Sequence, residues 1–314
     1  MGIKVLKPGL LNTIQDLGRY GYQKDGMIVC GAMDIMALRI GNILLGNAEG
    51  EAGIELTVIG GAFIFEDDQL IAITGAELNA TVDGIFVSNW KPIFVKKGQV
   101  LAFGKNELGC RAYLIVAGGF VLTEVLSSYS TYLRAAIGGW EGRALKSGDM
   151  IPFKKQYTHG LKKFNWLADL KTYPDLTQRR IRFVSGPHAD LFTVALSGEY
   201  KITNNSDRMG FRLDGLALLQ KQPVAEMLST AVTFGTIQVP PDGQPIVLMA
   251  DHQTTGGYPI IGQVISVDLP LLAQKKPGDA ITFAMVSVFH AQQLIIDREK
   301  YLNQFKQTMQ LKYE

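Results

Sequence analysis

The sequence predicts a mainly β protein with few helices. Three observations carry that expectation. Short runs rich in Val, Ile and Phe recur along the chain, each bounded by Gly, Pro, Asp or Asn. Glycine is abundant, at 34 of 314 residues, as a fold with many tight turns requires. One pattern returns at VKKGQVLAF (95–103), ALKSGDMIPF (144–153) and QKKPGDAITF (274–283). Each sets lysine before a Gly-Asp or Gly-Gln turn, followed by a mainly apolar strand ending in Phe. It is either a common hairpin entry or the shared turn of two related β-barrel domains.

In chain order, the strand candidates are AFIFE (62–66), LIAITG (70–75), PIFV (92–95), RAYLIVAGG (111–119), RIRFVSG (180–186), TIQVP (236–240) and PIVLMA (245–250). The first helix is expected after Asp34, a good N-cap. Its apolar positions include Leu38, Ile40, Leu44 and Leu45, and it ends near Gly46-Asn47. HADLFTVALS (188–197) follows a Gly-Pro and reads as a short helix. From His290 to about Met309, Leu294, Ile295, Leu302, Phe305 and Met309 fall at helical spacing. The polar, strand-poor stretch 154–179 reads as a connection, with Phe164, Trp166 and Pro174 able to pack. The expected organisation is an N-terminal β domain at 1–158, a connection at 159–177, and a C-terminal β domain with a terminal helix at 178–314.

Hydrophobic residues make up 47%, enough for a sizeable core and against wholesale disorder. Thirty-one basic and 29 acidic residues leave a net charge of +2, with no long basic block, so the footprint of a nucleic-acid binder is missing. The longest uncharged stretch, 280–296, is shorter than the roughly 20 apolar residues that span a bilayer. Lys4, Lys7 and Pro8 interrupt the one early apolar run, against a secretory signal. These features predict a soluble, cytoplasmic protein.

Several chemistries lack their motifs. GQVLAFGKN (98–106) has one residue too many for a phosphate-binding loop and an Asn where the hydroxyl belongs. No GxGxxG opens a helix after a strand, and no HExxH occurs. The histidines at 159, 188, 252 and 290 are scattered, and Cys30 and Cys110 cannot build a zinc site alone, so no metal is expected. No Met-Lys-Met string for biotin attachment is present. ATP or biotin, if used, would come with a partner chain. SGPH (185–188) reads as a strand-to-helix turn, since a catalytic triad needs residues converging from separate segments.

Four segments concentrate polar residues beside strands. NTIQDLGRYGYQKDGM (12–27) reads equally as a glycine-rich surface loop or a functional loop. NNSDRMGFRLDG (204–215) offers turn-forming side chains and then Arg208, whose planar fork suits a carboxylate. GTIQVPPDGQP (235–245) is a hairpin to which Gln238 adds an amide facing away from Ile237 and Val239. DHQTTGGYP (251–259) carries more hydrogen-bonding side chains than a hairpin needs. Buried polar groups cost free energy unless paired, so this cluster is either solvated or arranged around a ligand.

Taken together, TIQDLGRYGYQKDGM…CGAMD (13–34), LLGN (44–47), NSDRMGFRLDG (205–215), GTIQVPPDGQPIVLMADHQTTGGYP (235–259) and LAQKKPGDAITF (272–283) resemble the biotin-dependent carboxyltransferase, or allophanate hydrolase subunit 2, family. The resemblance covers nearly the whole chain. One departure is Cys30, where relatives commonly carry Ser. The resemblance implies two cyclophilin-like β-barrel domains. It implies a subunit of a heteromeric ATP-dependent 5-oxoprolinase, opening 5-oxo-L-proline to L-glutamate with two other subunits, one of them related to kinase inhibitors. Its alternatives are the carboxyltransferase subunit of a biotin-dependent urea or amide carboxylase, and a regulatory binding protein that antagonises a histidine-kinase inhibitor. Under the first reading, Arg208 holds the substrate carboxylate, Gln238 and Gln253 bond the amide, and Asp251 orients a proton transfer. His252 is a secondary helper, because neighbours on an extended strand face opposite ways. Thr254, Gly256, Gly257 and Tyr258 shape the pocket.

Overall fold

The computed structural model describes residues 1–155, 166–194, 196–222 and 227–313. The chain divides into two compact units. The first comprises Met1–Arg19, Cys30–Tyr173 and Lys300–Glu314, and the second Tyr20–Val29 and Pro174–Glu299. This division differs from one by chain order in two segments, 20–29 and 300–314.

The first unit contains strands β1 (Gly2–Lys7), β2 (Leu11–Gln15), β3 (Gly53–Thr57), β4 (Ala62–Phe65), β5 (Gln69–Glu77), β6 (Thr81–Val82), β7 (Ile85–Phe86), β8 (Pro92–Val95), β9 (Val100–Ala102), β10 (Leu108–Val116) and β11 (Met150–Pro152), with helix α1 (Ile35–Leu44). They form a six-stranded sheet, β11-β1-β4-β9-β6-β7, and a five-stranded sheet, β2-β3-β10-β5-β8. The long apolar runs of β5 and β10 follow from cover on both faces. Ile71, Ile73, Leu114 and Val116 enter the core between the sheets, while Leu70, Ala72, Tyr113 and Ile115 pack under α1. Asp34 caps α1 by accepting from Ala37 N at 2.9 Å. Gly41 lets the helix settle: a Cβ there would lie 2.7 Å from Ile115 Cγ1.

The second unit contains β12 (Arg180–Ser185), β13 (Glu199–Ile202), β14 (Gly210–Asp214), β15 (Thr230–Ala231), β16 (Thr236–Gln238), β17 (Ile246–Leu248), β18 (Thr255–Gly256), β19 (Ile260–Val264) and β20 (Ala280–Met285), with α2 (Leu269–Ala273). Seven of these close into a barrel, β12-β19-β16-β17-β14-β13-β20, around Ile181, Tyr200, Ile202, Ile237, Val247 and Ile281. Helix α3 (Val288–Tyr313) extends the expected 290–309 at both ends. Its Leu302 and Met309, two turns apart, join the core beneath α1, which is why the segment from Lys300 groups with the first unit.

The threefold turn recurs in detail. Gly98, Gly148 and Gly278 have φ of +84°, +93° and +89°, a region open to glycine without strain. In each turn the residue after the glycine accepts from a lysine N–H three positions back: Lys96 to Gln99 (2.8 Å), Lys146 to Asp149 (2.7 Å) and Lys276 to Asp279 (3.0 Å). Each then feeds a strand.

The short helix expected at 188–197 is corrected to a single 3₁₀ turn, Ala189–Leu191. Phe192 bridges Gln220 and Thr193 N donates to Leu219 O at 2.9 Å, so strand pairing ends the helical turn. In the connection, Trp166 stands edge-on to Tyr313 and under Lys312, and Tyr173 packs on Trp90. Phe164 and His159 lie outside the described residues. Cys30 and Cys110 are buried and not in a disulfide. No helix of the described residues is long and apolar enough to cross a membrane.

Candidate functional site

Strand register builds the centre of the site. β14 and β17 pair antiparallel, with Gly210 opposite Leu248. The ladder continues past both strand ends through Met249 N to Met209 O (3.0 Å) and Asp251 N to Arg208 O (2.8 Å). Arg208 and Asp251 are thereby set side by side. Arg208 Nε and Nη2 donate to the two carboxylate oxygens, both at 2.9 Å, and each residue is only 6% exposed. Asp207 instead serves its own turn, accepting from Met209 N at 2.8 Å.

This pairing bears on the role expected of Arg208. The Nε/Nη2 edge that would have held a substrate carboxylate already holds Asp251. Two buried opposite charges in register neutralise each other far more cheaply than either stays unpaired.

After β17 the chain turns instead of staying extended: His252 N donates to Met249 O at 3.1 Å. Asp251 and His252 can therefore both be buried, and the alternation argument that set His252 aside does not apply. The imidazole Nδ1 lies 2.5 Å from Gln253 O. Burial pushes its pKa down, and the Gln253 carbonyl and Asp251 charge offset this only in part.

Gln238, 1% exposed, donates from Nε2 to Tyr258 O at 3.3 Å. Its amide lies against Gly256, where a Cβ would come within 2.6 Å of Nε2. Thr255 and Gly256 pair with Ala231 and Thr230, and Val232 N donates to Thr254 O at 3.1 Å. The polar stretch is thus folded over as a small two-stranded flap. Tyr258 is 46% exposed, and Gly257 and Thr255 are exposed. The side chains of Gln253, Thr254 and Tyr258 make no hydrogen bond among the described residues. The residues therefore form two groups, Arg208–Asp251–His252 and Gln238–Gly256–Tyr258, joined by the turn at 252–255. No group of three or more potential metal ligands occurs among the described residues.

A second polar cluster lies in the first unit, in the segment whose sequence left a surface loop and a functional loop equally open. Asn12, Thr13, Gln15, Asp16 and Arg19 are all buried. Asp16 accepts from Gly18 N (2.8 Å), Ser128 Oγ (2.8 Å), Ser130 Oγ (2.5 Å) and Tyr129 N (2.6 Å). Arg19 Nη2 donates to Ser130 O at 2.5 Å. The available signal was the run of polar residues on a strand that pairs along its whole length with β3.

Comparison with known proteins places this geometry among relatives. The carboxyltransferase domain, subdomain A and B, matches residues 25–285. The chain is 43% identical over 305 residues to the C subunit of 5-oxoprolinase from Haemophilus influenzae, covering 94% of each chain. It is 37% identical to the C subunit of 5-oxoprolinase from Escherichia coli, covering 96% of this chain and 97% of that one. Among solved structures, the K. lactis urea amidolyase superposes with a TM-score of 0.90 at 29% identity, over 97% of this chain and 20% of the larger protein.

Proposed function

The chain belongs to the family of the carboxyltransferase domain, subdomain A and B, and from that premise we propose that it is a subunit of a heteromeric 5-oxoprolinase acting in the cytoplasm. The observation that carries this reading is the identity of the match: the two 5-oxoprolinase C subunits are 43% and 37% identical to this chain, against 29% for the urea amidolyase. Two other subunits, one of the kinase-inhibitor-like family, complete the enzyme in this proposal.

A lactam carbonyl is a poor electrophile, and its opening needs activation that ATP supplies to the complex. Neither α1 nor α2 offers a nucleotide phosphate a favourable helix N-terminus. Helix α1 opens on Asp34, whose carboxylate already accepts Ala37 N and would repel phosphate, and the five-residue α2 opens on Asp268. Nucleotide handling is assigned to a partner subunit.

The work of this chain is to bind and orient the amide. The side-chain amides of Gln238 and Gln253 can donate to the lactam oxygen and accept its N–H. Asp251, held in one orientation by Arg208, positions a proton transfer at the lactam nitrogen. His252, kept neutral by burial, can accept or pass a proton from the adjoining turn. Thr254, Gly256, Gly257 and Tyr258 form the flap over the ligand.

The test is ATP-dependent glutamate formation from 5-oxo-L-proline by the reconstituted complex, with each subunit omitted in turn. Omission of this chain is expected to abolish product. Asp251→Asn is expected to lower turnover by about 100-fold or more, the lower end of general acid–base contributions. Unchanged turnover by a folded Asp251→Asn protein would remove Asp251 from the mechanism.

A further inference from the structure

We propose that Arg19, in the buried cluster of the first unit, is the receptor for a small organic carboxylate. Its side chain is 0% exposed, yet of its three nitrogens only Nη2 has an acceptor, the Ser130 carbonyl. Nε and Nη1 are buried without a hydrogen-bond partner. No carboxylate of the described residues lies within ion-pair distance of it. Asp16, the acid of the same cluster, is saturated by Gly18, Ser128, Tyr129 and Ser130. Other buried arginines behave differently: Arg208 is matched by Asp251 at 2.9 Å, and Arg111 has Glu55 at 3.9 Å. Two buried guanidinium donors without acceptors are costly, and a carboxylate that accepts from both would offset that cost.

A second unmet group sits beside it. Gln15 is also 0% exposed, and its amide nitrogen reaches Thr13 Oγ1 and Thr131 O while its Oε1 accepts nothing. Ser130 and Thr131 carry the consecutive carbonyls that hold Arg19 and Gln15, so one segment anchors a side chain with unmet cationic donors and one with an unmet neutral acceptor. That combination suits a carboxylate with an N–H on the neighbouring carbon. A monoanion fits better than a phosphate dianion, because Asp16 already brings one negative charge to the cluster.

Glycine backbone separates the cluster from a cavity of about 380 Å³ lined by Val121, Leu122, Trp140 and the glycines at 138, 139 and 142. A Cβ at Gly138 would lie 2.8 Å from Arg19 Nη2, and one at Gly139 would lie 1.9 Å from Thr131 Oγ1. Both glycines have left-handed φ, +68° and +56°. The glycine segment is thus the wall that the guanidinium shares with the cavity. The use of 5-oxo-L-proline as one of the probes follows from the function proposed above. The requirement for a carboxylate does not.

The test is backbone hydrogen exchange on the wild-type chain with 5-oxo-L-proline, its carboxamide, L-proline and acetate as separate probes. At least one acid is expected to slow exchange over 14–19 and 128–139, and the carboxamide is expected not to. For the acid that protects, Arg19→Gln should weaken binding to the isolated chain about tenfold or more, and Arg19→Lys should recover part of it. Protection confined to 236–258, or equal protection by the carboxamide, overturns the proposal and leaves the oxoprolinase reading intact. Protection by acids in a complex that forms no glutamate sustains the carboxylate site and sinks that reading instead. The wild-type measurement decides the matter even where an Arg19 variant fails to fold.

Discussion

Replacing Asp251 alone leaves the Arg208 guanidinium buried without its partner, so Asp251→Asn is expected to cost about 3–5 kcal/mol of stability. Removing both charges, as Arg208→Met with Asp251→Leu, should fold nearly as well as the parent and remain inactive. Chemical denaturation of the single and double variants checks this. His252 makes a pH-dependent contribution of known sign. Its folded pKa lies below the ordinary 6.5, with burial the largest cause. Between that lowered value and 6.5 the unfolded chain binds more protons than the folded one. Stability is therefore present above the ordinary value and falls as pH drops through the window, by up to about 1.4 kcal/mol per unit. Urea midpoints measured above and below the window should converge in His252→Asn; an unchanged pH slope would show that His252 is not its source. At this scale, the sequence named Arg208, Asp251, His252 and Gln238 from their chemistry. Their partners were invisible, as was the burial of Arg19, because a polar residue beside glycines reads the same whether solvated or enclosed.

Elements were legible where their signals are local. The helix after Asp34 follows from a capping aspartate and apolar spacing, and its cap bond is present at 2.9 Å. The turns at Gly98, Gly148 and Gly278 follow from the positive φ that glycine tolerates. The segment 188–197 failed because a competing partner, the backbone at 219–220, draws Phe192 and Thr193 into an isolated antiparallel bridge. Helix α3 shows the opposite case. Its apolar residues are sparse, and of its described residues only Leu302 and Met309 are buried, yet both enter the core under α1. Leu302→Ala should therefore cost about 2–5 kcal/mol and lower the melting temperature. Gln304→Ala, at an exposed position two residues on, should be nearly silent. Equal melting temperatures for the two variants would show that α3 does not support the first unit's core.

For the whole molecule, two readings share one fold. The K. lactis urea amidolyase superposes with a TM-score of 0.90, so the architecture does not separate amide carboxylation from lactam opening. Sequence identity leans toward the second, at 43% and 37% to the C subunits of 5-oxoprolinase against 29% to the urea amidolyase. A biotin-dependent transfer would be blocked by avidin. Glutamate formation by the reconstituted complex is expected to be unaffected by avidin, and inhibition would favour the carboxyltransferase reading.

What the sequence determined by itself is what short-range geometry governs. Alternation and β-branched composition set the strands, glycine set the left-handed turns, and ordered motifs set the family. The tertiary structure alone decided which polar groups meet. Arg208 reaches Asp251 across 43 positions, and Asp16 reaches Ser128 across 112. Those meetings depend on strand register and closure, which many distant contacts fix together. The cost of burying a charge then makes each pairing, and the missing pairing at Arg19, a property of the folded chain.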